Sequence, residues 1–274
     1  MADNIFIYNE VYGIMITNQV YGRELSLLGF GTMRLPVKED GSIDEEAVFE
    51  MVRYAVEHGV NYYDTAYPCH QGNAETVIGK ALKQFPRESY CLVTEYPGHQ
   101  IAGGCHPEEI FEEQLTKCGV DYFVSEKRQG RIKHLGFSCH GNTSLLREFL
   151  NKYGDKMEFC QIQLNYLDWT LQDGKGKYKL LTERNIPIWV MKPVREGMLA
   201  AFDKEYEDEL RKLRLEASIA SWAFRWLQDL PNVKMILDGM GNMEQLVDDI
   251  HTFERKMPLR GKEEELLMKY AIHQ

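Results

Sequence analysis

Short apolar runs alternate with amphipathic stretches along almost the whole chain. Leu25–Leu28 runs into Gly29-Phe30-Gly31, which reads as a strand entering a tight turn. Asp44 is placed to cap the helix that follows. In that helix Ala47, Val48, Met51, Val52 and Ala55 recur at helical spacing, and Gly59 ends it. The same alternation predicts strands over 61–67, 90–96, 132–139, 159–164, 188–191 and 233–237. Helices are expected over 74–85, 106–118 (opened by Pro107), 145–153, 178–184, 208–230, 243–256 and 263–272.

Strand-then-helix units in series imply a parallel sheet, because parallel neighbours need crossover connections. Eight such units close into a (β/α)8 TIM-type barrel, which places its chemistry at the C-terminal ends of the strands. An open doubly wound sheet would carry G-x-G-x-x-G, and Gly29-Phe30-Gly31-Thr32-Met33-Arg34 lacks the third glycine. No Pro/Gly/Ser-rich linker interrupts the pattern. One domain over 1–274 is expected, with an N-terminal extension or hairpin over 1–25 and a C-terminal helix over 260–274.

The net charge of −10 and the lack of a Lys/Arg stripe exclude nucleic acid and anionic membrane as natural partners. No segment approaches the ~18 apolar residues of a membrane span, and the N-terminus has no basic, then apolar, leader. The six cysteines are scattered with no C-x-x-C pair, which predicts reduced thiols and a cytoplasmic setting.

The strand ends carry a distinctive set of words. GFGTMRLP (29–36), NYYDTAYPCHQGNAE (61–75), PGH (97–99), GRIKHLGFSCHG (130–141), CQIQLNYLDW (160–169) and DGMGNMEQ (238–245) resemble the aldo-keto reductase family. The resemblance is nearest to the bacterial branch that often carries a ferredoxin-like iron–sulfur tail. It runs in order along nearly the whole chain. It implies a barrel that binds NADP(H) and reduces a small-molecule carbonyl. The cysteines of an iron–sulfur tail would follow the terminal helix, and the chain stops at Gln274, so no cluster is expected there.

Reduction in that family rests on an Asp, a Tyr, a Lys and a His. Asp64 stands at the Asp position, but the Tyr position is Cys69 and the Lys position is Glu95. A thiol is shorter than a phenol and a weak donor. An anion at the Lys position repels a developing oxyanion and raises the pKa of a neighbouring acid. The His is missing by the same comparison. CGVDYF (118–123) runs almost directly into VSEKRQG (124–130), which resembles the end of the fourth helix. On the order of 30–40 residues are expected to be absent from the usual barrel, truncating or removing the fourth βα unit. Tyr122-Phe123-Val124 could instead form a short fourth strand. Exposed edges beside the gap would invite a second copy of the chain.

For the cofactor, the resemblance places Thr32, Met33 and Asp64 along the nicotinamide ribose. It places Ser138 and Gln161 at the carboxamide and Met191 against the ring. Lys192 would supply positive charge near the pyrophosphate. Gly239, Met240, Asn242 and Gln245 would bring a helix N-terminus to the 2′-phosphate, where Asp238 and Asp249 are unfavourable.

A zinc site near Cys69, His70, Glu95, His99, Cys139 and His140 is conceivable by donor type, but no metal is expected. Cys69 reads better as a small buried thiol than as a nucleophile. Trp222, Phe224 and Trp226 read as core. Three functions stay open: a reductase with weak or altered carbonyl reduction, a pseudoenzyme that binds a ligand or partner, and a non-redox enzyme using Asp64 and Glu95 as acid and base.

Overall fold

A computed structural model describes residues 14–95, 120–215 and 217–271. Its first element is an antiparallel hairpin, β1 (Thr17–Val20) and β2 (Arg23–Ser26). Tyr21 and Gly22 form the turn with φ of 53° and 71°, the positive pair that matches the twist of a two-residue hairpin. Seven strands follow: β3 (Leu28–Gly31), β4 (Tyr62–Ala66), β5 (Cys91–Glu95), β6 (Gly136–Cys139), β7 (Phe159–Gln163), β8 (Ile188–Met191) and β9 (Val233–Asp238). They form one sheet in the order β5-β4-β3-β9-β8-β7-β6, with every pair parallel. Around it lie α1 (Glu45–Glu57), α2 (Ala74–Leu82), α3 (Val120–Arg128), α4 (Thr143–Tyr153), the single turn α5 (Asp168–Leu171) and α6 (Gly174–Glu183). They are followed by α7 (Lys204–Leu213), α8 (Ile219–Leu227), α9 (Met243–Phe253) and α10 (Lys262–Ala271). This is the TIM-type α/β architecture expected.

Alternation along each strand gives the sheet an inside and an outside. The inner face carries Tyr62, Phe159, Trp189, Met235 and Leu237, with Cys91 and Val93 packed against them. Val20 and Leu25 of the hairpin join this cluster from below. The hairpin is tied there by Asn18 Nδ2 donating to Lys234 O, Asn61 Nδ2 to Glu24 O and Tyr21 OH to Glu158 O. All three contacts fall at strand N-termini, so the hairpin closes the foot. The outer face and the helices share the larger core, which includes Leu28, Phe30, Tyr63, Ile162, Val190 and Ile236. Each such side chain, fully buried, stabilises the fold by roughly 1.5–3 kcal/mol. Trp222, Phe224 and Trp226 belong to this core, as expected.

Glycine makes room for the inner rings. A Cβ on Gly136 would lie 2.4 Å from the Phe159 ring, and one on Gly29 would lie 2.5 Å from Leu237.

Three expectations are corrected. Leu25–Leu28 is not one strand, because the chain leaves β2 at Ser26 and enters the barrel at Leu28. The helix expected over 208–230 is two helices, α7 and α8. Arg214 is extended between them (φ −141°, ψ 95°) and Ser218 caps the second by accepting from Ser221 N. The break lets Arg214 reach Glu263 at 2.6 Å and the carbonyls of Met257 and Pro258. Finally, Tyr122-Phe123-Val124 is not a strand but lies inside α3. Phe123 and Val124 pack on the core there, and Lys127 and Arg128 end the helix where cations favour its dipole. Between β5 and β6 the described residues form only this helix; the helix expected over 106–118 lies outside them.

Candidate active site

Above the ring-filled floor the inner face turns polar. Asp64 stands two residues after Tyr62, Glu95 two after Val93, Ser138 two after Gly136 and Gln161 two after Phe159. The period of two that builds the floor therefore also sets these four at the C-terminal mouth. Strand register puts Ser138 directly beside Gln161.

Glu95 draws them together. Its Oε1 accepts from Ser138 Oγ at 2.5 Å and from Gln161 Nε2 at 2.8 Å, and Gln161 Nε2 also stands 3.5 Å from Asp64 Oδ2. Ser138 is on β6 and Glu95 on β5, the two end strands, so the sheet curls until its ends meet through this contact. Burial, and then the charge of Glu95, push the Asp64 carboxyl well above its ordinary range, while the Gln161 bond pulls the other way. Among the described residues, Asp64 Oδ1 is shut away from solvent without a hydrogen-bond partner, and so is Thr32 Oγ1. The backbones of these two residues are joined by Thr32 N donating to Asp64 O at 2.9 Å.

Cys69 opens the 3-10 turn after β4 and packs half-buried against the core. Burial first, and then nearby Asp64, Glu95 and Glu75, raise its thiol pKa. That environment suits a thiol, not a thiolate nucleophile. His70 turns to the loop after β3, where its Nε2 accepts from Leu35 N at 3.2 Å.

The remaining residues expected at a cofactor divide into two groups. Met33 is 64% exposed beside Thr32, and Met191 ends β8 next to Gln163. Lys192 has φ 53° and pairs with Glu196 at 2.5 Å, so its charge is already partnered. Around α9, Asn242 caps the helix by accepting from Gln245 N at 2.9 Å, while Gln245 Oε1 accepts from Gly241 N at 2.7 Å. The two side chains thus satisfy two of the N–H groups that an anion would use. Met240 is fully buried in the core. Gly239 lies against the Arg34 side chain. Asp238 at the end of β9 and the buried Asp249 of α9 form a carboxyl pair. Burial lifts Asp238 to about 6 and Asp249 well above the ordinary range, as expected of two acids sharing one proton.

One network was not anticipated. Gln163 Nε2 and Asn165 Nδ2 both donate to Asp168 Oδ2 at 2.7 Å, and Arg195 Nε stands 3.6 Å from Asp168 Oδ1. It ties the segment after β7 to the segment after β8, where Lys192, Arg195 and Glu196 all take positive φ. The available signal was an Asn three residues before an Asp, a spacing that closes a local side-chain turn. Among the described residues, no group of three His, Cys, Asp or Glu could hold a metal.

The sequence model of the aldo/keto reductase family matches residues 27–125 and 119–263, two segments that meet within α3. The chain belongs to the aldo/keto reductase family. Among curated relatives of this family, the NADH-specific methylglyoxal reductase of Escherichia coli (strain K12) is 25% identical over 218 residues, covering 64% of this chain and 65% of the relative. The probable aldo-keto reductase 1 of Glycine max is 36% identical over 207 residues, covering 64% of this chain and 58% of the relative. The chain thus spans less than two thirds of the length of these two relatives. Among solved aldo-keto reductases, the holo form of AKR11C1 from Bacillus halodurans superposes with a TM-score of 0.71 at 20% identity, covering 93% of this chain and 96% of that one. One from Klebsiella pneumoniae in complex with NADPH does so with a TM-score of 0.71 at 16% identity, covering 94% and 96%. These likenesses show the shared fold.

Proposed function

We propose that this aldo/keto reductase binds a nicotinamide dinucleotide at the mouth and reduces small carbonyl compounds weakly or in an altered way. The observation that carries the reading is the convergence of Ser138 Oγ and Gln161 Nε2 on a single acceptor oxygen, at 2.5 and 2.8 Å. A carboxamide oxygen accepts from the same two donors. Thr32 Oγ1 and Asp64 Oδ1, buried without partners among the described residues, suit hydroxyls such as those of a ribose. The residues present therefore fit such a group. Met33 and Met191 would flank it, with Lys192, Gly239, Asn242, Gln245 and the Met240 backbone along its phosphate-bearing part. A reduced nicotinamide supplies hydride to a carbonyl carbon. Solved relatives hold NADPH or NADP, which favours NADP(H) as the cofactor.

The protein's part is to orient the carbonyl and manage charge on its oxygen. With Cys69 and Glu95 where the family has a phenol and an ammonium, that oxygen loses its usual donor and its cation. General acid catalysis contributes roughly 10²–10⁴-fold, so turnover falls by at least that order. The two-segment family match supports a shortened fourth βα unit, which would also remove the catalytic His. A pseudoenzyme reading draws support from the same Glu95 contact, because the donors are already engaged. The free thiols at Cys69, Cys91, Cys139 and Cys160 support a reducing, cytoplasmic setting. The end strands β5 and β6 offer edges to a second copy, and a clean monomer on size-exclusion chromatography would remove that proposal.

Titration of NADPH and NADH by their fluorescence tests the reading. Saturable binding of either one, lost in a Gln161→Leu variant, is expected. If neither binds, the cofactor reading is wrong.

A further inference from the structure

The two carboxylates at the mouth differ in their hydrogen bonds. Glu95 Oε1 accepts from two donors at 2.5 and 2.8 Å. Among the described residues Asp64 Oδ2 meets Gln161 at the long distance of 3.5 Å, and Oδ1 meets no donor at all. Two neighbouring carboxylates share a proton, and charge settles where donors hold it. Glu95 is the better-solvated anion, so the proton belongs to Asp64. An orphaned, buried Oδ1 is also costly as an anion and costs less as an O–H that finds an acceptor when a ligand enters.

Resting on the cofactor reading above, we propose that Asp64 is the proton donor of this barrel, and that Glu95 is the positioning residue that keeps the proton on it. In the step, the carbonyl carbon takes hydride and its π pair moves onto oxygen. The oxygen takes the proton as the Asp64 O–H bond breaks. The carbonyl becomes an alcohol, the dihydronicotinamide is oxidised, and water returns a proton to Asp64. The phenol of other family members is then replaced by a carboxylic acid two strands from Ser138. Besides Glu95 on β5, the titratable groups facing Asp64 are Cys69 in the turn after β4 and Tyr62 on its own strand; Glu75 lies beyond Cys69. None of these is a cation, so none of them offsets the effect of Glu95 and of burial on Asp64.

Infrared difference spectroscopy of the whole protein reads this without any turnover. At neutral pH the wild type is expected to show the C=O stretch of a protonated carboxyl that Asp64→Asn lacks. In Glu95→Gln, which keeps an acceptor for Ser138 and Gln161, that band should titrate away at least about one pH unit lower, a tenfold loss of proton affinity. The alkaline limb of NADPH-dependent reduction of a small dicarbonyl should move by the same amount. Absence of the band overturns the proposal whatever the cofactor does. So does a Glu95→Gln titration that stays in place, or an Asp64→Asn variant that reduces the dicarbonyl at the wild-type rate. If the band behaves as expected but neither NADPH nor NADH binds, the cofactor reading fails and the donor role falls with it. Should Asp64→Asn not fold, the titration of the band in Glu95→Gln carries the test alone.

Discussion

Glu95, the last residue of β5, accepts a hydrogen bond from Ser138 of β6 at 2.5 Å, and these are the two end strands of the sheet. One carboxylate therefore holds the ends of the barrel together and occupies the donors that suit a carboxamide. Replacing it with Glu95→Ala frees Ser138 and Gln161. We expect NADPH to bind several-fold more tightly to this variant in a fluorescence titration. The melting temperature should fall, because charge-assisted hydrogen bonds of this kind contribute about 1.5–3 kcal/mol each, less here since Ser138 is exposed. Weaker or unchanged binding would show that Glu95 does not compete.

Cys69 packs half-buried in the turn that follows β4, within reach of the field of Asp64 and Glu95. A Cys69→Tyr, Glu95→Lys double variant restores a phenol and an ammonium to the mouth. Reduction of a reactive dicarbonyl with NADPH should rise by about 10²-fold or more. No gain would count against Cys69 and Glu95 as the cause of the weak reduction proposed above.

Gly136 faces the Phe159 ring so closely that a Cβ would sit 2.4 Å from it. Gly136→Ala must push the ring off its packing with Trp189, whose centroid lies 4.6 Å away. The cost of such overpacking is about 1–3 kcal/mol, read as a lower denaturation midpoint with an unchanged slope. Gly130→Ala, by contrast, meets open space but strains a backbone with φ +75°. Its smaller loss separates strain from clash.

Asp238, which ends β9, pairs with Asp249 of α9. Asp238 is raised from 3.8 to about 6 by burial, so between these values the folded chain holds a proton that the unfolded chain has released. The native state binds more protons there, and stability falls as pH rises through this window. Asp249→Asn leaves a neutral amide that donates to Asp238 without a shared proton. The variant should lose less stability than the wild type between those two pH values, measured as the difference in chemical denaturation midpoints. Parallel pH profiles would contradict the pairing.

Much of the site could be read before folding. Asp64, Glu95, Ser138 and Gln161 were each singled out from strand ends, and the period of two sends them all to the inner face. They were named by the family resemblance, and local alternation explains why all four point inward. The Glu95–Ser138 contact was not legible, because it depends on how far the sheet curls. Nor was the break at Arg214, which is set by a partner at Glu263, 49 residues away.

By itself, the order of residues determined the α/β architecture, since short-range periodicity and capping act over a few residues, and its strand-end words carried the resemblance to the family and the residue types to be sought at the mouth. Tertiary structure alone decided which of two carboxylates holds two short hydrogen bonds and which has one long one. The donors to Glu95 come from β6 and β7 at the other end of the sheet, and only the curl of the sheet brings them within 3 Å of it.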